Sequence, residues 1–272
     1  MDTLDFQFFS ASRTLVFFII IALFIGLEYF FCLHKIGKAG FRRRRLLNWE
    51  LGIINMLLMF PVSTLGTALY CQYYQIGLFY SFQMSWWQVF VAWFLIYDLF
   101  FYLFHRVAHS RLLWHFHIIH HTETSMNVTT SFRFHPIEFS LFTISKVCLI
   151  FIMGPWFFIL LISDLIQTTI VLFGHSNLKL NTYAEKALSY IIITPRYHLM
   201  HHRYQCNCNY ATGLTIWDKI GGTYCNPVWT AKELNSLKLG QPQLGRQDDL
   251  NALLLINKSR RLNLRKRAYH RH

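Results

Sequence analysis

Apolar positions run along this chain in long stretches, and the polar ones collect between them. Residues 15–33 are almost wholly apolar, with Glu28 the one acid, and are long enough to span a bilayer as a helix. Residues 51–69 form a second run, interrupted by Pro61. Residues 86–104 form a third, and its leading Trp86-Trp87 pair suits a headgroup-level anchor. The stretch 137–173 is too long for one crossing and suits two helices that turn at Gly154-Pro155-Trp156. Asp98 and Asp164 lie inside these runs, where a buried acid is costly and often functional.

Charge orients the runs. Arg42, Arg43, Arg44 and Arg45 follow the first one, so the positive-inside rule puts the N-terminus outside and this cluster in the cytoplasm. Alternation then brings His105 to the cytoplasmic surface. A hairpin over 137–173 enters and leaves on one side, so 106–136 and 174–202 share that surface, and the basic stretch 258–271 emerges there too. The opening MDTLDF lacks the basic region of a cleaved signal, so the first run is expected to stay as an anchor.

Composition agrees with a membrane setting: 54% of residues are hydrophobic and only 14% charged, against roughly 25% in soluble domains. The net charge of +13 raises a nucleic-acid partner. However, the charge gathers in two patches that suit anionic headgroups, and no groove-reading motif is present, so no nucleic acid is expected. Six cysteines are present; Cys206-Asn207-Cys208 is too tight for a CxxC redox or zinc site, and free thiols are expected.

Fourteen histidines carry the candidate chemistry. His105 and His109 are spaced i, i+4. His117, His120 and His121 are spaced i, i+3, i+4, and His198, His201 and His202 repeat that figure. On a helix each set faces one way. So many imidazoles near lipid are hard to satisfy by hydrogen bonds, whereas a metal uses one lone pair from each. One ion takes about four to six ligands, so eight or nine histidines imply two ions. Imidazole suits Zn, Cu, Fe and Ni alike, and no HExxH peptidase string occurs. A metal carrier without enzymatic activity and a zinc-dependent hydrolase therefore stand beside an iron oxygenase. Asp98 lies two helical turns before His105, where it suits either a partner behind that ligand or an acid paired to another helix.

HRVAH (105–109), HIIHH (117–121) and HLMHH (198–202) resemble the three histidine boxes of the fatty acid hydroxylase/sterol desaturase superfamily. The flanks YDLFFYLFHRVAH, RFHPIE, GHSN, TPRYHLMHH and NYATGLTIWDKIGGTY resemble its signatures. The resemblance covers about half of the chain. It implies an all-α integral membrane bundle of about four transmembrane helices under a cytosolic helical cap with a di-metal site. The implied iron ligands are His105, His109, His117, His120, His121, His175, His198, His201 and His202. Val171 stands where some members have a further ligand one turn before His175. Asp98, His135, Glu138, Asn177 and Asp218 are candidates for the layer behind the ligands. The implied layout is an anchor with a basic cytosolic loop (1–85), a catalytic domain (86–224) and a basic cytosolic tail (225–272).

The implied activity is O2-dependent hydroxylation or desaturation of a lipid (a sterol, fatty acyl chain or ether lipid) by two Fe ions per chain. No GxGxxG fingerprint occurs, so electrons are expected from a separate donor, cytochrome b5 or a ferredoxin or rubredoxin with its reductase. The arginines 42–45 are expected to help dock it. The lack of a C-terminal dilysine favours a bacterial inner membrane over the endoplasmic reticulum, with the site on the cytoplasmic side.

Overall fold

The computed structural model describes residues 3–34, 40–241, 250 and 254. The basic stretch 258–271 lies outside the described residues. Within them the regular elements are all helical, with isolated bridges but no β-strand. The first four helices are α1 (Thr3–Phe30), α2 (Phe41–Met59), α3 (Thr64–Tyr74) and α4 (Trp86–Ala108). A short α5 (Trp114–His117) leads to α6 (Pro136–Met153) and α7 (Phe157–His175). Four short helices follow: α8 (Thr182–Leu188), α9 (Pro195–His201), α10 (Ile216–Ile220) and α11 (Ala231–Ser236).

Among the described residues, five segments are long and apolar enough to cross a membrane: Ala11–Phe30, Phe41–Ser81, Trp86–Ala108, Pro136–Met153 and Phe157–His175. The second is bent where Pro61 ends α2. Ser63 then caps α3 by accepting a hydrogen bond from the Gly66 amide at 2.9 Å. The α6–α7 turn falls at Gly154, whose φ of 66° is left-handed and whose Cα hydrogens face the Ile76 carbonyl too closely for a side chain.

Helices α3, α4, α6 and α7 enclose the main core through Leu65, Ala68, Trp93, Tyr97, Ile150 and Leu160. Outward, Phe18, Leu57, Val91, Ile144 and Ile162 are exposed, as side chains facing lipid would be. Lipid tails are as apolar as these side chains, so close packing and buried polar contacts hold such a bundle together. Asp164 makes one of these contacts, pairing across α6–α7 with Lys146 at 2.7 and 2.9 Å.

One end of the bundle carries a polar cap. Arg133, fully buried, donates to the carbonyl of Ile119 at 3.0 Å and to Asn48 of α2 at 2.9 Å. Arg44 turns inward to Glu123 at 3.1 Å. That arginine thus builds the cap from within. Glu28, on α1, accepts the backbone amides of Val128 and Asn177, both at 2.7 Å. The first apolar helix is therefore tied to the segments that precede α6 and follow α7.

Candidate metal centre

Helix ends deliver nine imidazoles to the cap. His105 lies in the last turn of α4 and His109 caps it; His117 ends α5. His120 and His121 open a 3-10 turn, and His175 is the last residue of α7. His198 and His201 lie in α9, and His202 caps it. Thr194 starts α9 by accepting the Tyr197 amide, and the buried Arg196–Glu185 pair, at 2.9 Å, fixes that helix against α8.

The nine fall into two groups whose candidate ligand atoms lie within 4.8 Å of one another. His105, His109, His117, His121 and His201 form the first; His120, His175, His198 and His202 form the second. The second and third boxes are therefore split between groups, unlike the sequence expectation of one face per box. Helix geometry supplies the reason. Residues i and i+4 nearly eclipse, while i+3 points about 100° away from i+4. So 117/121 and 198/202 stay together, and His120 and His201 cross to the opposite group. The second box is not one helix either: α5 ends at His117 and the 3-10 turn begins at His120.

The hydrogen bonds behind the rings fix which nitrogen faces inward. His105 Nδ1 meets the carbonyl of Tyr210 at 2.7 Å, and His201 Nδ1 meets that of Cys208 at 2.8 Å. His175 Nδ1 meets the carbonyl of Val171 at 2.8 Å, and His117 Nδ1 meets the Glu138 carboxylate at 2.5 Å. Such oxygens only accept, so each ring donates from Nδ1 and turns a bare Nε2 lone pair inward.

His105 Nε2 and His117 Nε2 then face each other at 3.2 Å, with no hydrogen for either to share. Two bare lone pairs at that distance repel, and a cation between them would convert repulsion into coordination. The other neighbouring Nε2 pairs are 3.0–3.2 Å apart. Ligands around one ion with bonds of roughly 2.1 Å stand roughly 3.0–3.4 Å apart at neighbouring vertices, so the donor set fits a metal.

Burial favours neutral imidazoles. It holds His109, His120, His121, His198 and His202 well below the ordinary histidine value, with neighbouring rings adding to the effect. Burial and the nearby His117 and His175 push His201 down to about 3. At neutral pH these rings keep their lone pairs free for a cation.

The residues proposed behind the ligands divide. Glu138 touches a candidate ligand, His117. Asp218 braces the loop that carries the Tyr210 carbonyl, accepting the amides of Tyr210 at 2.8 Å and Ala211 at 2.7 Å. His135 caps α6 by accepting the Ile137 amide at 3.1 Å, and it stands outside both groups. Asp98 and Asn177 hold other elements. Asp98 accepts from Gln167, the Leu214 amide and Trp217 at 2.7–2.9 Å, so it pairs with other elements instead of His105. Seven residues of helix separate it from His105 by about 10 Å along the axis. Asn177 exchanges hydrogen bonds with the main chain of His34 at 3.0 Å and joins α1 to the end of α7, not to a ligand. The carbonyls of Val171, Cys208 and Tyr210 escaped sequence reading because a main-chain acceptor has no residue signature. Phe134, stacked on His120 at 4.6 Å, escaped it as well.

Replacing Glu138 by Ala frees the His117 ring and leaves its Nδ1–H buried without an acceptor. Metal affinity is expected to fall about 10- to 100-fold, with Glu138→Gln retaining more because its carbonyl still accepts. Metal retained after a timed chelator challenge checks this.

Apolar helices whose ends converge in two buried histidine pockets define a membrane-type histidine-box protein. The profile of the fatty acid hydroxylase family matches residues 90–223. An ornithine lipid hydroxylase, OlsE, of Rhizobium tropici is 34% identical over 134 residues, covering 46% of this chain and 38% of the relative. The alkylglycerol monooxygenase of Homo sapiens is 32% identical over 137 residues, covering 47% and 28%. Its Xenopus tropicalis counterpart is 30% identical over 144 residues, covering 52% and 30%. The chain belongs to the fatty acid hydroxylase/sterol desaturase superfamily. Its matches span 28–38% of these relatives' lengths. No solved structure matches it.

Proposed function

We propose that this chain is a membrane lipid monooxygenase that hydroxylates a lipid with O2 at two iron ions held by the nine histidines. The observation that carries the reading is the pair of buried groups of five and four imidazoles, whose fixed tautomers aim lone pairs inward. Iron there supplies dioxygen reduction and the oxidation of an unreactive C–H bond, which side chains alone cannot do. Hydroxylation is preferred to desaturation because the relatives' names are those of hydroxylases and monooxygenases.

The protein's own part is to bind and orient. Glu138 and the carbonyls of Tyr210, Cys208 and Val171 hold four rings in a fixed tautomer. Eight of the nine histidines are buried, which keeps bulk water from the reacting centre. Phe100, Phe101 and Phe104 of α4 pack on Phe142 of α6, with Phe101–Phe142 centroids 4.4 Å apart. These apolar rings adjoin His105 and suit a lipid chain entering from the bilayer. Residues 86–224 form the catalytic region, at the cytoplasmic face of a bacterial inner membrane. A separate carrier, cytochrome b5 or a ferredoxin or rubredoxin with its reductase, delivers the two electrons.

The test joins metal analysis, oxygen uptake and lipid mass spectrometry. Purified protein is expected to bind about two irons per chain. With a reductant, it should consume O2 and add one oxygen atom to a lipid of the host membrane. A full complement of iron without substrate-dependent O2 uptake would refute the proposal. So would zinc-dependent hydrolysis of a lipid by the same preparation.

A further inference from the structure

Three thiols lie together behind the first histidine group, beyond any metal ligand assigned above. Cys206 and Cys208 are both buried, and their sulfurs stand 3.1 Å apart. The Cys225 thiol meets that of Cys208. Asn209 clamps the Cys225 segment beside them, donating to its carbonyl at 3.0 Å and accepting its amide at 2.7 Å. The spacing that rules out a CxxC site does not keep the sulfurs apart. Gln205 and Asn209, at φ of 60° and 57°, bend the loop in the left-handed region on either side and turn both side chains inward. Arg203, Gln205 and Asn207 are exposed, so a small oxidant has a short path to the pair.

We propose that Cys206 and Cys208 are a redox-active dithiol, which hydrogen peroxide oxidises to a disulfide that displaces the Cys208 carbonyl from His201. The Cys206 sulfur attacks one peroxide oxygen and the O–O bond breaks, giving a sulfenic acid and water. Cys208 sulfur then attacks Cys206 sulfur; the S–O bond breaks and a second water leaves. The thiols lose two electrons and two protons, and the peroxide takes up both. The hydrogen bond from Cys208 and the nearby Arg203 pull the Cys206 thiol below its ordinary value, which favours it as the attacking sulfur.

Closure brings the sulfurs from 3.1 Å to a bond of about 2.05 Å. With one residue between them, the main chain has to follow. The Cys208 carbonyl is the acceptor that holds His201 Nδ1 at 2.8 Å, so the movement reaches a candidate ligand directly. Only the source of the peroxide, oxygen reduction uncoupled from lipid oxidation, rests on the oxygenase reading. The dithiol itself does not.

The test uses the purified, metal-loaded full chain in detergent, with submillimolar peroxide followed by alkylation and trypsin. Residues 204–219 form one tryptic peptide carrying both cysteines. It is expected to lose about 2 Da and to escape alkylation, reversibly with dithiothreitol. Cys148, exposed and apart from the other thiols, should stay alkylatable. Cys225→Ser should leave the 2 Da loss intact. Separate oxidation of each thiol to sulfinic acid, persistent alkylation of both, or a crosslink from Cys208 to Cys225 would overturn the pairing.

A chelator arm tests the displacement. The oxidised chain should release metal about tenfold faster than the reduced one, and Cys206→Ser should release it at one rate with or without peroxide. Complete disulfide with unchanged release overturns the link to His201. A chain that forms the disulfide but neither binds iron nor consumes O2 keeps the dithiol and sinks only the proposed function.

Discussion

His201→Ala and His120→Ala are each expected to cut bound iron from about two ions per chain to about one, and from different groups. His201 belongs to the group of five and His120 to the group of four, although each sits in a box whose other histidines go elsewhere. Losing His201 removes one Nε2 from a ring of neighbours spaced 3.1–3.2 Å apart. Losing His120 removes one of four donors and leaves His175 Nε2 with His198 and His202. Product formation should drop more than about 100-fold in both variants, since even groups behind a ligand are worth 10- to 100-fold in metal affinity or activity. Iron content and oxidised lipid, measured on one preparation, check the pair. Either variant keeping two irons and wild-type turnover would sink the two-group arrangement. Both variants losing the same ion, as separate spectroscopic signatures would reveal, would sink the split of the boxes.

The histidines were legible because their spacing is local. Pairs at i and i+4 sit one turn apart wherever a helix forms, and 105/109, 117/121 and 198/202 all share a group. The turn at Gly154 was equally local, since an apolar run too long for one crossing must reverse somewhere and glycine permits the left-handed residue. The division of the boxes was harder to read. It depends on the 100° between adjacent helical residues and on which partner the remaining strip of helix meets. Contacts between distant residues had no trace in the sequence at all. Glu28 read as an acid stranded in an anchor helix, yet its partners Val128 and Asn177 lie 100 and 149 residues away. Asp98 read equally as a partner of His105 or as an acid paired to another helix; rise along the axis separates it from His105, and its partners arrive from α7, the loop before α10 and α10 itself.

Asp218→Ala is expected to destabilise the chain by at least about 3 kcal/mol and to release metal from the group of five. The carboxylate is fully buried and accepts four hydrogen bonds: Tyr197 hydroxyl at 2.7 Å, Tyr210 amide at 2.8 Å, Ala211 amide at 2.7 Å and Thr223 hydroxyl at 2.6 Å. Alanine leaves the Tyr197 hydroxyl and the two amides without their acceptor, while the Thr223 hydroxyl keeps that of Tyr102 at 3.0 Å; each unsatisfied buried donor costs about 1–3 kcal/mol. The loss then passes to the metal site. Tyr210 presents its carbonyl to His105 Nδ1 at 2.7 Å, so a loop released from Asp218 no longer fixes that ring. Asp218→Asn keeps one accepting oxygen but turns an NH2 toward the remaining donors, so it should fall between wild type and alanine. Thermal unfolding in detergent, with and without bound iron, separates the two contributions. The alanine variant should melt lower in both forms, and iron should stabilise it by less than it stabilises wild type, because ligand-linked stabilisation follows affinity. An alanine variant with an unchanged melting temperature would mean that the loop of residues 209–211 is held by something other than this carboxylate, and His105 would then need another source for its orientation.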